Sequence, residues 1–253
     1  MVHDVTSQDA KVRVIRHAAK AGGQWAELVL NRPQRKNAIT GPLGEALAQA
    51  VNALNEDSAI QVILLRGAEG AFCSGLDLEA FNAQPSPPWL ANFPKVWRAA
   101  HEALFCCEKP IVGALERYAI NGGAALAIAC DHLFMGREAF LQVGEVQIGM
   151  AAPYNLAWLT LRHSEASIAQ ACLLGERMKA DDMLRLGLAS EVVDDARVVS
   201  SAVALCQRMA DFPPGAPARI KTGLRANIRE SASEWFDRFT ALATGGASPP
   251  GKP

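Results

Sequence analysis

The chain has 253 residues, half of them hydrophobic, and a formal net charge of −1. That length fits one large domain, or a domain with a smaller appendage, and can bury a sizeable core. The near-neutral balance without a basic run argues against nucleic acid as a partner, and no apolar run reaches the ~20 residues of a membrane span.

In chain order, "MVHDVTSQDAKVRV" lacks the apolar centre of a secretion signal. Three β-like runs come next, "VRVIRH" (12–17), "WAELVLN" (25–31) and "QVILLRG" (61–67). The last is nearly continuously apolar, as a buried strand should be. Between the second and third runs, Leu43, Leu47, Ala50, Val51 and Leu54 recur at helical spacing, with Thr40 available as N-cap. A helix through "VWRAAHEALFCCEK" precedes another short buried strand, "PIVGAL" (110–115). Alternation of strand and helix continues to about residue 195 and predicts an α/β fold for residues 1–195. Residues 196–253 read as a helical region, split by Pro213-Pro214 and ending in a Gly/Pro-rich tail expected to be disordered.

Six cysteines (73, 106, 107, 130, 172, 206) sit mostly among apolar residues without CxxC pairs, which predicts reduced thiols in a cytoplasmic protein. The adjacent Cys106-Cys107 pair reads as helix packing. The five histidines form no metal-ligand pair, and His132 reads as a packed or capping residue. The chain contains no GxGxxG, GxxxxGK[ST], HExxH or GxSxG, so nucleotide hydrolysis, metal catalysis and a serine nucleophile lack support, and no metal site is expected.

Two glycine-containing stretches can present backbone donors: "FCSGLDLEAF" (72–81) and the Gly122-Gly123 opening of an apolar helix. The first N–H groups of a helix have no internal partner and lie at the positive end of its dipole. Two such donors converging on one oxygen make an oxyanion hole, with each donor contributing on the order of 3–4 kcal/mol. Either stretch alone reads as a plain turn.

Taken with "LNRPQRKNAIT", "YAINGGAALAIACDH", "AFLQVGEVQIGM" and "ERMKADDMLRLGLASEVV", in that order, "FCSGLDL" gives the chain a resemblance to the crotonase, or enoyl-CoA hydratase/isomerase, superfamily over roughly residues 12–230. The resemblance implies a spiral of ββα units with a C-terminal helical region that builds trimers or dimers of trimers. It implies an acyl-CoA thioester as substrate, with no cofactor besides the CoA that the substrate carries. The N–H groups of Leu76 and Gly122 would hold the thioester oxygen. Arg32, Lys36, Ala38, Ser74 and Asp77 would lie along the CoA, with the Ser74 carbonyl toward its adenine end. Phe81, Trp89, Phe93, Met150, Tyr154 and Trp158 would line the acyl tunnel.

Hydratases of this superfamily divide proton transfer between two glutamates. The first position is Ala125 in this chain, while Glu145 fits the second. One base over a thioester enolate can move a proton between C2 and C4, which shifts a double bond without water. "EVQIGMAAPYN" and "SGLDL" also resemble the Δ3,Δ2-enoyl-CoA isomerase branch. An isomerase is therefore the leading expectation, with an enoyl-CoA hydratase, a weakly catalytic acyl-CoA-binding subunit and a thioester or carbon–carbon hydrolase as alternatives. Departures from the pattern are Glu116-Arg117 for the usual Asn-Gly, Asn121 for one glycine of the usual run, and "GGASPPGKP" where members carry a basic-aromatic CoA contact. Glu116, if it reached the water site, would favour hydration.

Overall fold

The computed structural model describes residues 2–4, 7 and 9–243. The strands are β1 (Val2–Asp4), β2 (Val12–Ala18), β3 (Gln24–Leu30), β4 (Ile60–Gly67), β5 (Ile111–Leu115), β6 (Tyr118–Ile120), β7 (His132–Gly136), β8 (Phe140–Gln142), β9 (Arg177–Lys179) and β10 (Glu191–Val193). The helices are α1 (Gly41–Glu56), α2 (Leu78–Phe81), α3 (Phe93–Cys106), α4 (Gly122–Ile128), α5 (Pro153–Thr160), α6 (Glu165–Cys172), α7 (Ala180–Arg185), α8 (Val198–Ala210), α9 (Ala216–Leu224) and α10 (Ala232–Ala243). Thr40 does stand at the N-cap of α1, but its side chain makes no capping hydrogen bond. The Gly/Pro tail expected to be disordered lies outside the described residues.

One sheet runs β1-β2-β3-β4-β5-β7-β10, antiparallel at β1-β2-β3 and parallel from β3 onward. Its centre is covered on both faces, which explains the unbroken apolar run in β4. Val62 and Leu64 pack with Val112, Phe134 and the buried face of α8, namely Val198, Ala202, Cys206 and Ala210. Ile63 and Leu65 face the larger core, where α1 contributes Leu43, Leu47, Val51 and Leu54 and α3 contributes Trp97, Ala100 and Leu104. His132, expected to be packed or capping, instead opens β7 with its side chain exposed. Cys106 is exposed on α3 and Cys107 is buried just beyond its end, and all six cysteines are free thiols.

A second, small sheet runs β6-β8-β9, with β6 and β8 parallel. That parallel pairing sets the C-terminal exits of the two strands side by side. Ile120 pairs with Gln142, so the chain leaves β6 into α4 beside the point where it leaves β8 toward Glu145. The α10 helix packs on α5 and α3, burying Trp235, Phe236 and Phe239. Arg98 of α3 fastens it, donating to the Ser233 carbonyl and Thr240 Oγ1 and pairing with Asp237 at 2.8 Å.

Candidate active site

The turn at 73–76 lies against β6 in parallel register. Cys73 bridges Ala119, the Ile120 N–H donates to the Cys73 carbonyl at 3.0 Å, and three residues further along each strand stand Leu76 and Gly122. Glycine is required for this approach at two places. Gly75 has φ +88° with the Ile120 carbonyl only 3.0 Å from where a Cβ would stand, and a Cβ on Gly123 would meet the Cys73 carbonyl at 2.4 Å. The N–H groups of Leu76 and Gly122 make no hydrogen bond to protein among the described residues. Their neighbours are engaged: Ser74 donates to the Lys36 carbonyl and Asp77 to the Ile39 carbonyl. Two uncommitted backbone donors on neighbouring segments, one at a helix N-terminus, are a candidate site for a negatively charging oxygen.

Asn121 stands at the N-cap of α4 with φ +51° and ψ −114°, a positive-φ backbone that L side chains rarely adopt. Its N–H donates to the Gln142 carbonyl and its Oδ1 accepts from the Gly144 N–H, both at 2.8 Å. The loop carrying Glu145 is thereby sewn to the start of α4.

Glu145 is buried at the start of a 3-10 turn. Its Oε1 accepts from Asn155 Nδ2 at 2.8 Å, while its Oε2 has no hydrogen-bond partner among the described residues. Burial raises its carboxyl to about 7, against the opposing pull of its own backbone N–H and of Asn155. A carboxyl poised near neutrality with one oxygen uncommitted is suited to taking and returning a proton. Ala125 is fully buried. Glu116 is not in this neighbourhood: it lines a separate polar cavity of about 800 Å³ with Arg66, Glu69, Arg117, Glu138 and Asp195. The role considered for it as a second acid has no geometric support.

The residues expected along the CoA divide into two groups. Arg32 and Asp77 are committed to each other through a 2.8 Å ion pair, and Arg32 also donates to the Ala38 carbonyl. Asp77 further pairs with Arg35 at 2.9 Å and caps α2 through the Ala80 N–H. Burial opposes the Asp77 charge, but the hydrogen bonds from Arg35 and Arg32 prevail and hold its carboxyl at about 2. The pair braces the oxyanion turn, and the buried Asp77 leaves little surface for a ligand. Lys36 is exposed beside the Ser74 turn, in a left-handed conformation.

Of the expected tunnel residues, Phe81, Trp89 and Phe93 meet edge to face with centroids 4.7–6.1 Å apart. Their line continues through Trp97, which lies 3.5 Å from the Cβ position of Gly122, to His101 and Tyr154. Trp158 is fully buried and donates its indole N–H to His101 Nδ1, and Met150 is exposed. Sequence reasoning missed Trp97, His101, Phe236 and, closest to the base, Asn155. A buried polar residue ten positions beyond Glu145, on the helix after the loop, was the available signal.

The profile of the family described as enoyl-CoA hydratase/isomerase matches residues 21–239. Carnitinyl-CoA dehydratase of Proteus mirabilis is 30% identical over 216 residues, covering 85% of this chain and 82% of that protein. Mitochondrial enoyl-CoA hydratase of Pongo abelii is 28% identical, covering 81% of this chain and 70% of that protein. Among solved structures, an enoyl-CoA hydratase/carnithine racemase from Magnetospirillum magneticum superposes with a TM-score of 0.76 at 27% identity, covering 96% of this chain and 90% of that one. An enoyl-CoA hydratase/isomerase from Mycobacterium paratuberculosis reaches 0.80 at 24% identity, covering 94% of both chains, a likeness of fold. No helix among the described residues is long and apolar enough to cross a membrane. The chain belongs to the enoyl-CoA hydratase/isomerase family, whose members act on acyl-CoA thioesters.

Proposed function

We propose that the protein is an enoyl-CoA isomerase that converts a 3-enoyl-CoA into the conjugated 2-enoyl-CoA. The reading rests on one observation: Glu145, tied through Asn155 to the start of α4, has one carboxyl oxygen held and the other without a hydrogen-bond partner among the described residues. The thioester carbonyl would lie between the Leu76 and Gly122 N–H groups, making the C2 protons acidic. Glu145, ionised, removes a proton from C2; the electron pair moves into the dienolate held by the two N–H groups. The same carboxyl returns the proton at C4, so the base is regenerated and no water is consumed. No cofactor enters beyond the CoA of the substrate, with the exposed Lys36 as the candidate contact for its phosphates.

Hydration of a 2-enoyl-CoA is the second reading, favoured by the relatives named hydratase and dehydratase. It would need Glu145 both to activate water and to supply the proton. The test follows ultraviolet absorbance of the conjugated thioester. With a 3-enoyl-CoA, absorbance should rise in the native enzyme and fail to rise with Glu145→Gln, and kcat/KM should increase with pH through about 7 as the base ionises. Absorbance that instead falls with a 2-enoyl-CoA, while the 3-enoyl-CoA stays inert, would overturn the isomerase in favour of the hydratase.

A further inference from the structure

We infer that Asn155 is a positioning residue that couples the base to the oxyanion hole through a single amide nitrogen. The inference rests on Glu145 as the base and Gly122 as an oxyanion donor, and it adds a residue that the proposed reaction does not itself require. Asn155 Nδ2 donates to Glu145 Oε1 at 2.8 Å and to the Asn121 carbonyl at 3.2 Å. The Asn121 carbonyl can only accept, and so can Glu145 once ionised, so the orientation of the amide is set by chemistry: turning it over would bring Oδ1 against the carbonyl and the carboxylate.

The identity of the second acceptor is decisive. The Asn121 carbonyl and the Gly122 N–H belong to one peptide group. A donor fixed on that carbonyl holds the plane of the peptide, and hence the direction in which the Gly122 N–H points. It also polarises the unit, strengthening the N–H as a donor. The same carbonyl accepts the first helical bond, from the Ala125 N–H at 3.1 Å, so the group is held from two directions. On its other hydrogen, Asn155 fixes Oε1, which leaves Oε2 as the oxygen that handles the proton.

Packing alone does not account for this residue. Asn155 is almost wholly buried on α5 and its Oδ1 has no hydrogen-bond partner among the described residues, a standing cost that an apolar side chain would avoid. The two donated hydrogen bonds are what the amide offers in return.

Asn155→Leu and the near-isosteric Asn155→Asp test it beside Glu145→Gln, each checked for folding by circular dichroism and thermal melting. Three readouts separate positioning from packing. First, kcat for 3-enoyl-CoA isomerisation should fall about 10- to 100-fold in Asn155→Leu, as when a residue orienting a reactive group is lost, with KM little changed. Second, the acid limb of the kcat/KM profile should move to higher pH in both variants, since the ionised carboxylate loses a donor. Third, the infrared carbonyl band of bound hexanoyl-CoA, lowered in the native enzyme by the oxyanion donors, should return toward its free position in Asn155→Leu. A Leu variant that melts lower yet keeps the native pH limb and carbonyl band would overturn the coupling and leave Asn155 a packing residue. If Glu145→Gln retains native turnover, the base assignment itself fails. The carbonyl band would then still report on the Asn155 link to the oxyanion peptide, so the two failures are distinguishable.

Discussion

Ionising Glu145 in its buried setting works against the fold. Burial lifts the carboxyl from about 4.5 to about 7, so between those values the native state binds a proton that the unfolded chain has already released. Stability therefore falls as pH rises through that window, by roughly 3 kcal/mol once both states are ionised. Glu145→Gln keeps the shape and the acceptor for Asn155 but never ionises. It should melt several degrees above the native protein at pH 8 and almost with it at pH 4.5, measured by calorimetry. An equal gain at both pH values would show that the charge is not what destabilises the site. Glu145 was legible in the sequence because a glycine-flanked carboxylate recurs at a fixed place among the ordered blocks of the family. Asn155 was not, since "PYNLAW" reads as ordinary helix until β8 and α5 are folded against α4. Asp77 was expected along the CoA, whereas the structure commits it to two arginines. Its partners Arg32 and Arg35 stand more than forty positions earlier, and sequence shows no reason for them to meet.

At the scale of elements, strands that are buried on both faces announced themselves. β5 and the centre of β4, residues 62–65, are apolar and buried throughout, and α1 shows the 3.6-residue period of a helix lying on a sheet. The small sheet β6-β8-β9 went unseen because its strands have three residues each, too short to display a period. Yet that sheet sets Glu145 beside Gly122. The fastening of α10 to α3 was equally invisible, being a matter of one arginine reaching across more than 130 positions. Arg98 donates to Ser233 and Thr240, pairs with Asp237 and lies over the Phe236 ring at 5.8 Å. Phe236 in turn packs on His101, Tyr154 and Trp158, the inner end of the expected acyl tunnel. Arg98→Met keeps the stem and removes the polar links. It should raise KM for long acyl chains several-fold while short-chain kcat stays within about twofold, and hydrogen exchange in 232–243 should quicken. Unchanged exchange and unchanged long-chain kinetics would mean that α10 is held by its apolar face alone.

For the whole molecule, the question is what covers the outer side of the C-terminal helices. Phe212, Ile220 and Leu224 are exposed at 45%, 68% and 81%, and they border an apolar groove of about 710 Å³ that also takes in Met209, Pro217 and Ile228. An exposed apolar groove is a candidate surface for protein–protein contact. This one surrounds a polar centre in which Lys221 reaches Asp131 at 2.7 Å and Arg162 reaches it at 3.0 Å, so the groove floor is held by ion pairs. Such a floor with a greasy rim is suited to association with little reordering. We therefore expect the protein to form the trimer, or dimer of trimers, that the family resemblance implies, with α9 at the contact. Light scattering after gel filtration should give a multiple of the protomer mass. Ile220→Glu combined with Leu224→Glu should bring it to the protomer, because two charges would have to be buried unpaired. The native circular dichroism spectrum should survive, since both side chains point away from the core. Unchanged mass in the double variant would move the contact elsewhere; a native protein already at protomer mass would remove the need for one. Loss of activity on dissociation would show in addition that the acyl-CoA site draws on the neighbouring copy, whereas retained activity would mean that each chain closes its own site with α10.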